Sequence, residues 1–242
     1  VTNSRLWQLA GLAIVAIALA YGLHEVGNGI RARDARDVVT VTGSAKRSIS
    51  SDYVIWDASV AAQNVSPAVA AAKLARWTTT IKTFLANAGV HVDELAITPI
   101  TTDTITETNS NGSSGQVTGY NLTRTFEVRS DRVDAIVGAI DASSSLVGQG
   151  IPFTAQPPQF IYTKLPSLRP ALSAEATKDA INRARTVVEM AGQHLGKLRS
   201  IDVGPFQVTA PGSTQTGDFG SYDTSTRQKD VTSVVNVTFA VN

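Results

Sequence analysis

The chain has 242 residues, long enough for one sizeable domain or two small ones, and an apolar fraction of 43%, ordinary for a packed globular body. Lys plus Arg is 21 against Asp plus Glu 20, a net charge of +1 that gives no reason to expect nucleic acid or an anionic surface as the main partner. There are no cysteines, which excludes disulfides, thiolate chemistry and cysteine-ligated metals but leaves the compartment open.

Residues 1–5 form a short polar lead with Arg5, and Leu6–Leu23 is then an almost unbroken apolar run that includes Leu9, Leu12, Ile14, Ile17 and Leu19. At about 1.5 Å per residue a helix over this run reaches roughly 27 Å, close to the hydrocarbon thickness of a bilayer. A retained anchor is the preferred expectation. A secretory signal cut after Ala20 is the alternative, since Ala18-Leu19-Ala20 has the small-x-small form of a cleavage site. The anchor makes the lipid bilayer a partner through the N-terminal helix and the chain a single-pass protein of a bacterial inner membrane, and either fate puts the following domain outside the cytoplasm. The flanking charges pull the other way, with Arg5 before the run and Arg31, Arg33 and Arg36 after it. Residues 24–37 read as a polar linker.

Residues 38–62 read as two strands joined by a polar crossing at Ser50-Ser51-Asp52. In the second, Val54, Trp56, Ala58, Val60 and Ala62 share one parity, the period-2 signature of a half-buried strand. Tyr120, Leu122, Phe126 and Val128 repeat the pattern, as do Val231, Val235, Val237, Phe239 and Val241. Ser66-Pro67 starts a helix with the stripe Ala70, Leu74, Trp77, Ile81, Phe84 and Ala88, and Gly89 ends it. A strand over 95–107 and a return to about Arg129 make a long hairpin with a Ser, Thr and Asn-rich tip. Ser130 or Asp131 caps a helix buried through Val133, Ile136, Val137 and Ile140, and a strand through Ile151, Phe153 and Ala155 meets Pro157-Pro158, which places it at a sheet edge or at a bend. A long helix from about Pro166 to Leu195, striped by Leu172, Ala176, Ala180, Ala184, Val187, Ala191 and Leu195, stops at Gly196. Strands over 197–209 and 230–241 close the chain around the excursion 210–229.

The order strand, helix, strand, strand, helix, strand from Tyr53 to Thr163 is that of a ferredoxin-like split βαβ sandwich. The expected fold is therefore α+β, one domain over 38–242, with the N-terminal strand and the C-terminal helix-strand-strand extending that sheet.

The search for chemistry returns no catalytic, cofactor or metal residue. His24, His91 and His194 are far apart with no HxxxH or HxH spacing. Asp52 and Asp57 are a weak carboxylate pair, read as turn and strand residues. No GxSxG elbow, P-loop or dinucleotide glycine motif occurs. RNA binding on the sheet is disfavoured because the polar parity holds Asn121, Thr123, Thr125, Glu127, Thr232, Asn236 and Thr238 in place of stacking aromatics.

VVTVTGSAKRSISSDYVIWDASV resembles the opening V-x-V-x-G segment of SIMPL-domain proteins, Gly119-Tyr120 with NLTRTFEVRS resembles that family's next strand, and Ala171–Ala191 with HLGKLRSIDVG resembles its long helix and following strand. Ser51 departs from a pattern that often has proline before the aspartate. The resemblance implies an extracytoplasmic protein, with relatives among periplasmic immunogenic and oxidative-stress-associated proteins, some of which form large oligomers, and it brings no catalytic residues. The expected role is that of a non-enzymatic, oligomeric structural or stress-protective envelope module. Its candidate self-contacts are Thr104, Thr106, Asn109 and Asn111 on the hairpin and Phe219 and Tyr222 in the excursion. The alternative is an envelope module that captures a peptide or small ligand along the edge near Pro157 and Pro158.

Overall fold

In a computed structural model of the chain, residues 37–108, 114–214 and 217–242 are described. The expected span Leu6–Leu23, with Ala18 and Ala20, lies outside them, as do Asn109 and Asn111; among the described residues no helix is long and apolar enough to cross a membrane. The fold is mixed α+β with two sheets, and the chain forms two compact units. Among the described residues, one comprises 37–46 with Arg169–Phe206 and Thr232–Asn242, and the other comprises those within Arg47–Leu168 and Gln207–Val231.

The strands are β1 (Val38–Ser50), β2 (Tyr53–Asn64), β3 (Leu95–Ile97), β4 (Thr101–Thr108), β5 (Ser114–Ser130), β6 (Phe153–Ala155), β7 (Gln159–Ile161), β8 (Leu195–Val203), β9 (Gln207–Thr209), β10 (Ser221–Tyr222) and β11 (Gln228–Val241). The helices are α1 (Pro67–Asn87), α2 (Val133–Ala142), α3 (Ser144–Gly148) and α4 (Leu165–Met190).

In the unit around β2 the sheet order is β3–β5–β2–β6, with β4 continuing β3 along β5 and β7 continuing β6 along β2. β5 runs antiparallel to both β2 and β3, so it splits the β2–α1–β3 crossover. The period-2 reading of β2 holds: Val54, Trp56, Ala58, Val60 and Ala62 are all buried. Helices α1 and α2 supply the cover for that face.

Several expectations are corrected here. The strand expected over 95–107 is two, because Pro99 has no N–H to give the ladder. Thr98 bridges the gap instead, its N–H donating to Thr125 O at 3.0 Å and its Oγ1 accepting from Thr125 N at 3.1 Å. On α1 the deepest positions are Ala70, Leu74, Thr78, Ile81 and Leu85, while Trp77 and Phe84 pack at the margin of the core. Thr78 tolerates burial because its hydroxyl donates to Leu74 O at 2.7 Å. On α2, Ala139 joins Val133 and Ile136 as a buried position, with Val137 and Ile140 half-buried beside it. Arg132, rather than Ser130 or Asp131, is the residue before α2, and it makes no side-chain cap.

The second sheet is the larger correction. The expected extension of the β2 sheet by the N-terminal strand and the C-terminal tail does not occur; β1, β11, β8, β9 and β10 form their own sheet. Thr40 meets Thr238, Thr42 meets Asn236 and Ser48 meets Asp230, so β1 and β11 run antiparallel. In the unit built on α4, the helix presses Ala176, Ala180 and Ala184 onto Val235, Val237 and Phe239 of β11, with Val39, Val41 and Ala45 of β1 alongside. Four-residue spacing of alanines keeps one face of the helix thin. At Gly43 the approach is so close that a Cβ would lie 2.2 Å from Ala176 O and 2.4 Å from Ala180 N.

α4 ends at Met190 and not at Leu195. Gly192, at φ +74°, turns the chain, and Gln193 N donates back to Val188 O at 3.0 Å. Val188 is therefore buried and Val187 exposed, the reverse of the expected stripe, and Leu195 and Gly196 belong to β8. The strand expected over 197–209 breaks at Gly204-Pro205 into β8 and β9.

Candidate functional site

Of the sequence-predicted contact residues, the described ones, Thr104, Thr106, Phe219 and Tyr222, fall in the β2 unit. Thr104 and Thr106 stand on β4 opposite Tyr120 and Val117 of β5, Thr104 exposed and Thr106 half-buried. Phe219 is 99% exposed, the extreme for a large apolar side chain among the described residues. Tyr222 is anchored instead: its hydroxyl accepts from Tyr162 N at 2.9 Å.

Asp52 and Asp57 do not form a dyad. Five residues along an extended strand separate them by roughly 16 Å, beyond the span over which two carboxylates share acid and base work. Asp52 is a turn clamp, accepting from Thr163 N at 2.7 Å and Thr163 Oγ1 at 3.0 Å. Burial opposes its charge, but these bonds and Lys164 hold its carboxyl below the usual range. His91 and His194 are exposed at the ends of secondary elements, and His24 lies outside the described residues. Among the described residues no group of three or more acidic or histidine side chains has the arrangement of a metal site. At the proline-containing edge, Phe160 N donates to Thr224 O at 2.7 Å, so the chain's own 221–226 segment meets that edge.

Two features escape the sequence reading. The first is on β8. Val203, Ile201 and Leu198 lie directly opposite Val235, Val237 and Phe239 of β11 and so point to the same face of the sheet, the one that α4 covers. The three β11 residues are buried, yet Val203, Ile201 and Leu198 are 48%, 47% and 54% exposed. α4 is one helix wide and its alanines sit over β1 and β11, so among the described residues an apolar row along an edge strand is left uncovered. Ile201 and Val203 share a parity, but Leu198 joins their face only through the register shift between Thr238 and Phe239, and which neighbour covers a row is not a local property.

The second is a cavity of about 430 Å³ at the start of α2, lined by Ser51, Arg227 and the first-turn residues Val133, Asp134 and Ala135, among others. Glu94 secures the segment entering it. It accepts from Ser130 Oγ at 2.6 Å, His91 N at 2.8 Å and Arg132 Nε at 3.1 Å, and pairs with Arg132 Nη2. The Arg132 guanidinium, against a cost of burial, holds the Glu94 carboxyl down to about 2. Arg227 makes a two-pronged pair with Asp134, which lowers the Asp134 pKa. Ser51 is only 4% exposed, and its Oγ has no partner; neither has the buried Nε of Arg227.

Comparison with known proteins gives one strong result. The profile of the family described as "SIMPL: Protein of unknown function (DUF541)" matches residues 39–239. No curated protein matches the sequence. Among solved structures, an amidase of the hydantoinase/carbamoylase family from Burkholderia phymatum is 15% identical, with a TM-score of 0.25, over 53% of this chain and 33% of its own. The chain thus spans about a third of that enzyme's length. The regulatory subunit of aspartate kinase from Thermus thermophilus is 12% identical, with a TM-score of 0.21, over 84% of this chain and 89% of its own. Both likenesses are too distant to carry an argument about function.

Proposed function

From the premise that the chain belongs to the SIMPL family of unknown function (DUF541), we propose that it is a membrane-tethered envelope module that works outside the cytoplasm by assembling with further copies of itself. In this reading it is a structural or stress-protective element and not an enzyme. The observation that carries it is the uncovered apolar row of Leu198, Ile201 and Val203. An edge strand presents unpaired backbone as well as side chains, and natural proteins normally blunt or cover such an edge. Here the exposed row continues the buried row of β11, so a second copy laid along β8 extends one core instead of starting another. Phe219 and the β4–β5 hairpin are secondary contacts in this proposal, and Leu6–Leu23 is its tether.

The test is the native mass of the full chain in detergent by light scattering, corrected for bound detergent. The wild type is expected to give a multiple of the chain mass independent of concentration, and Ile201→Lys, which places a charge in the row, a smaller species. A wild-type monomer, or an unchanged multiple in Ile201→Lys, sinks this placement of the contact. The address has its own check: protease added to intact spheroplasts should remove the folded domain, whereas protection until lysis would put it in the cytoplasm.

A further inference from the structure

The cavity at the start of α2 takes no part in the proposed assembly. The first amides of any α-helix have no acceptor inside the helix. In α2, a helix of 10 residues, those amides belong to Val133, Asp134 and Ala135, and no side-chain cap serves them because the preceding residue is Arg132. All three residues line the cavity. A helix N-terminus alone would be satisfied by water.

What distinguishes this one is Ser51, which enters the same cavity from the β1–β2 turn with 4% exposure and an unpartnered Oγ. A third element, the segment before β11, brings Arg227, whose terminal nitrogens hold Asp134 while its Nε–H is buried and unpartnered. Amides, hydroxyl and Nε–H are all able to donate, and leaving buried donors unmet is costly, so the complementary group is a compact cluster of acceptor oxygens. The positive end of the helix dipole favours that group being an anion.

The carboxylates around the cavity limit its charge. Asp52, Asp131 and Asp134 line it with Arg132 and Arg227. The lining is net negative, so a dianion is opposed twice as strongly as a monoanion, and a single negative charge can be met by the amides and the Arg227 Nε without displacing the Arg227–Asp134 pair. We propose that this cavity is a binding site for a small carboxylate of single charge, with Ser51 and Arg227 as its side-chain donors. The carboxylate is that of a free small acid or of a peptide C-terminus, which present the same two oxygens.

The experiment is a titration of the ¹⁵N-labelled full chain in detergent, at constant ionic strength set with chloride, against acetate, N-acetyl-alanyl-alanine and inorganic phosphate. Acetate should move the amide resonances of Val133, Asp134 and Ala135 saturably, and phosphate should bind more weakly. Ser51→Ala removes an unpartnered hydroxyl, and Arg227→Lys keeps the charge but deletes the Nε–H. Each should weaken acetate binding by about tenfold or more, as loss of one hydrogen bond to a charged group does. Tighter binding of the dipeptide than of acetate assigns the site to peptide C-termini, and equal binding assigns it to free acids. Absence of a saturable shift with either carboxylate, equal affinity in both variants and wild type, or phosphate binding tighter than acetate overturns the proposal.

Discussion

Gly43→Ala is expected to lower the stability of the unit built on α4 by about 3 kcal/mol, the upper part of the range for overpacking a well-packed core. The added Cβ would lie 2.2 Å from Ala176 O, 2.4 Å from Ala180 N and 2.6 Å from Ala180 Cβ. Two of these three neighbours are helix main chain, which has no rotamer to change. Relief therefore requires α4 to lift from β1, and that movement strains a second tie, the Ser44 N–H donated to Asp179 Oδ2 at 2.9 Å. It also opens the contact of Ala176, Ala180 and Ala184 with Val235, Val237 and Phe239. Urea denaturation followed by far-ultraviolet circular dichroism measures the loss. Ala180→Gly on top of Gly43→Ala should recover little of it, because it removes only the mildest of the three clashes. A midpoint unchanged from wild type would show that the helix and strand are not in the contact described.

How far this molecule could be read from its sequence depended on whether the deciding interaction was local. The alternation of Val54, Trp56, Ala58, Val60 and Ala62 fixes which face of β2 is buried, since parity is set by the strand itself. The end of α1 at Ala88-Gly89 was equally legible. The end of α4 was not: Gly192 and Gly196 are four residues apart, and Ala191 and Leu195 continue the helical period past the true stop, so only the turn at Gly192 separates the two readings. Assignment of β1 and β11 to a second sheet was hidden for a different reason, because alternation states that a face is covered and not which strand lies alongside. The cavity was invisible altogether. Ser51, Val133 and Arg227 come from three distant parts of the chain, and none of them has a neighbour in sequence that marks it. Membership of the family was legible because it rests on an ordered set of segments rather than on one site, and the profile match over 39–239 covers those segments.

Asp223→Ala should cost the β2 unit roughly 3–5 kcal/mol, the penalty for removing one partner of a buried ion pair. Lys229 has no exposed side-chain surface, and its Nζ lies 3.2 Å from Asp223 Oδ2 while also donating to Thr226 O. Without the carboxylate an ammonium is left buried with, among the described residues, the Thr226 carbonyl as its remaining partner. Asp223 also organises its own loop: Ser225 N donates to it at 3.0 Å, Ser225 Oγ at 2.6 Å and Thr226 N at 3.2 Å. These contacts make the pair asymmetric. Lys229→Met removes the cation and keeps an apolar stem of similar length, while Asp223, 20% exposed, retains the Ser225 and Thr226 donors. It should therefore cost clearly less than Asp223→Ala. The pH dependence follows with a definite sign. Burial raises the Asp223 carboxyl, but the Ser225, Thr226 and Lys229 bonds outweigh it and leave the folded value well below the ordinary one. A carboxylate depressed in the folded state contributes its full stability above the unfolded pKa and loses it as the pH falls through the folded value. Glu94, held down to about 2, works in the same direction, so stability should fall steadily from about pH 5 toward pH 2. Asp223→Ala should flatten that slope by up to one proton's worth. Thermal melts of the two single variants across this range decide the matter: equal losses at pH 7, or a slope unchanged by Asp223→Ala, would mean that the buried lysine is held by something other than this carboxylate.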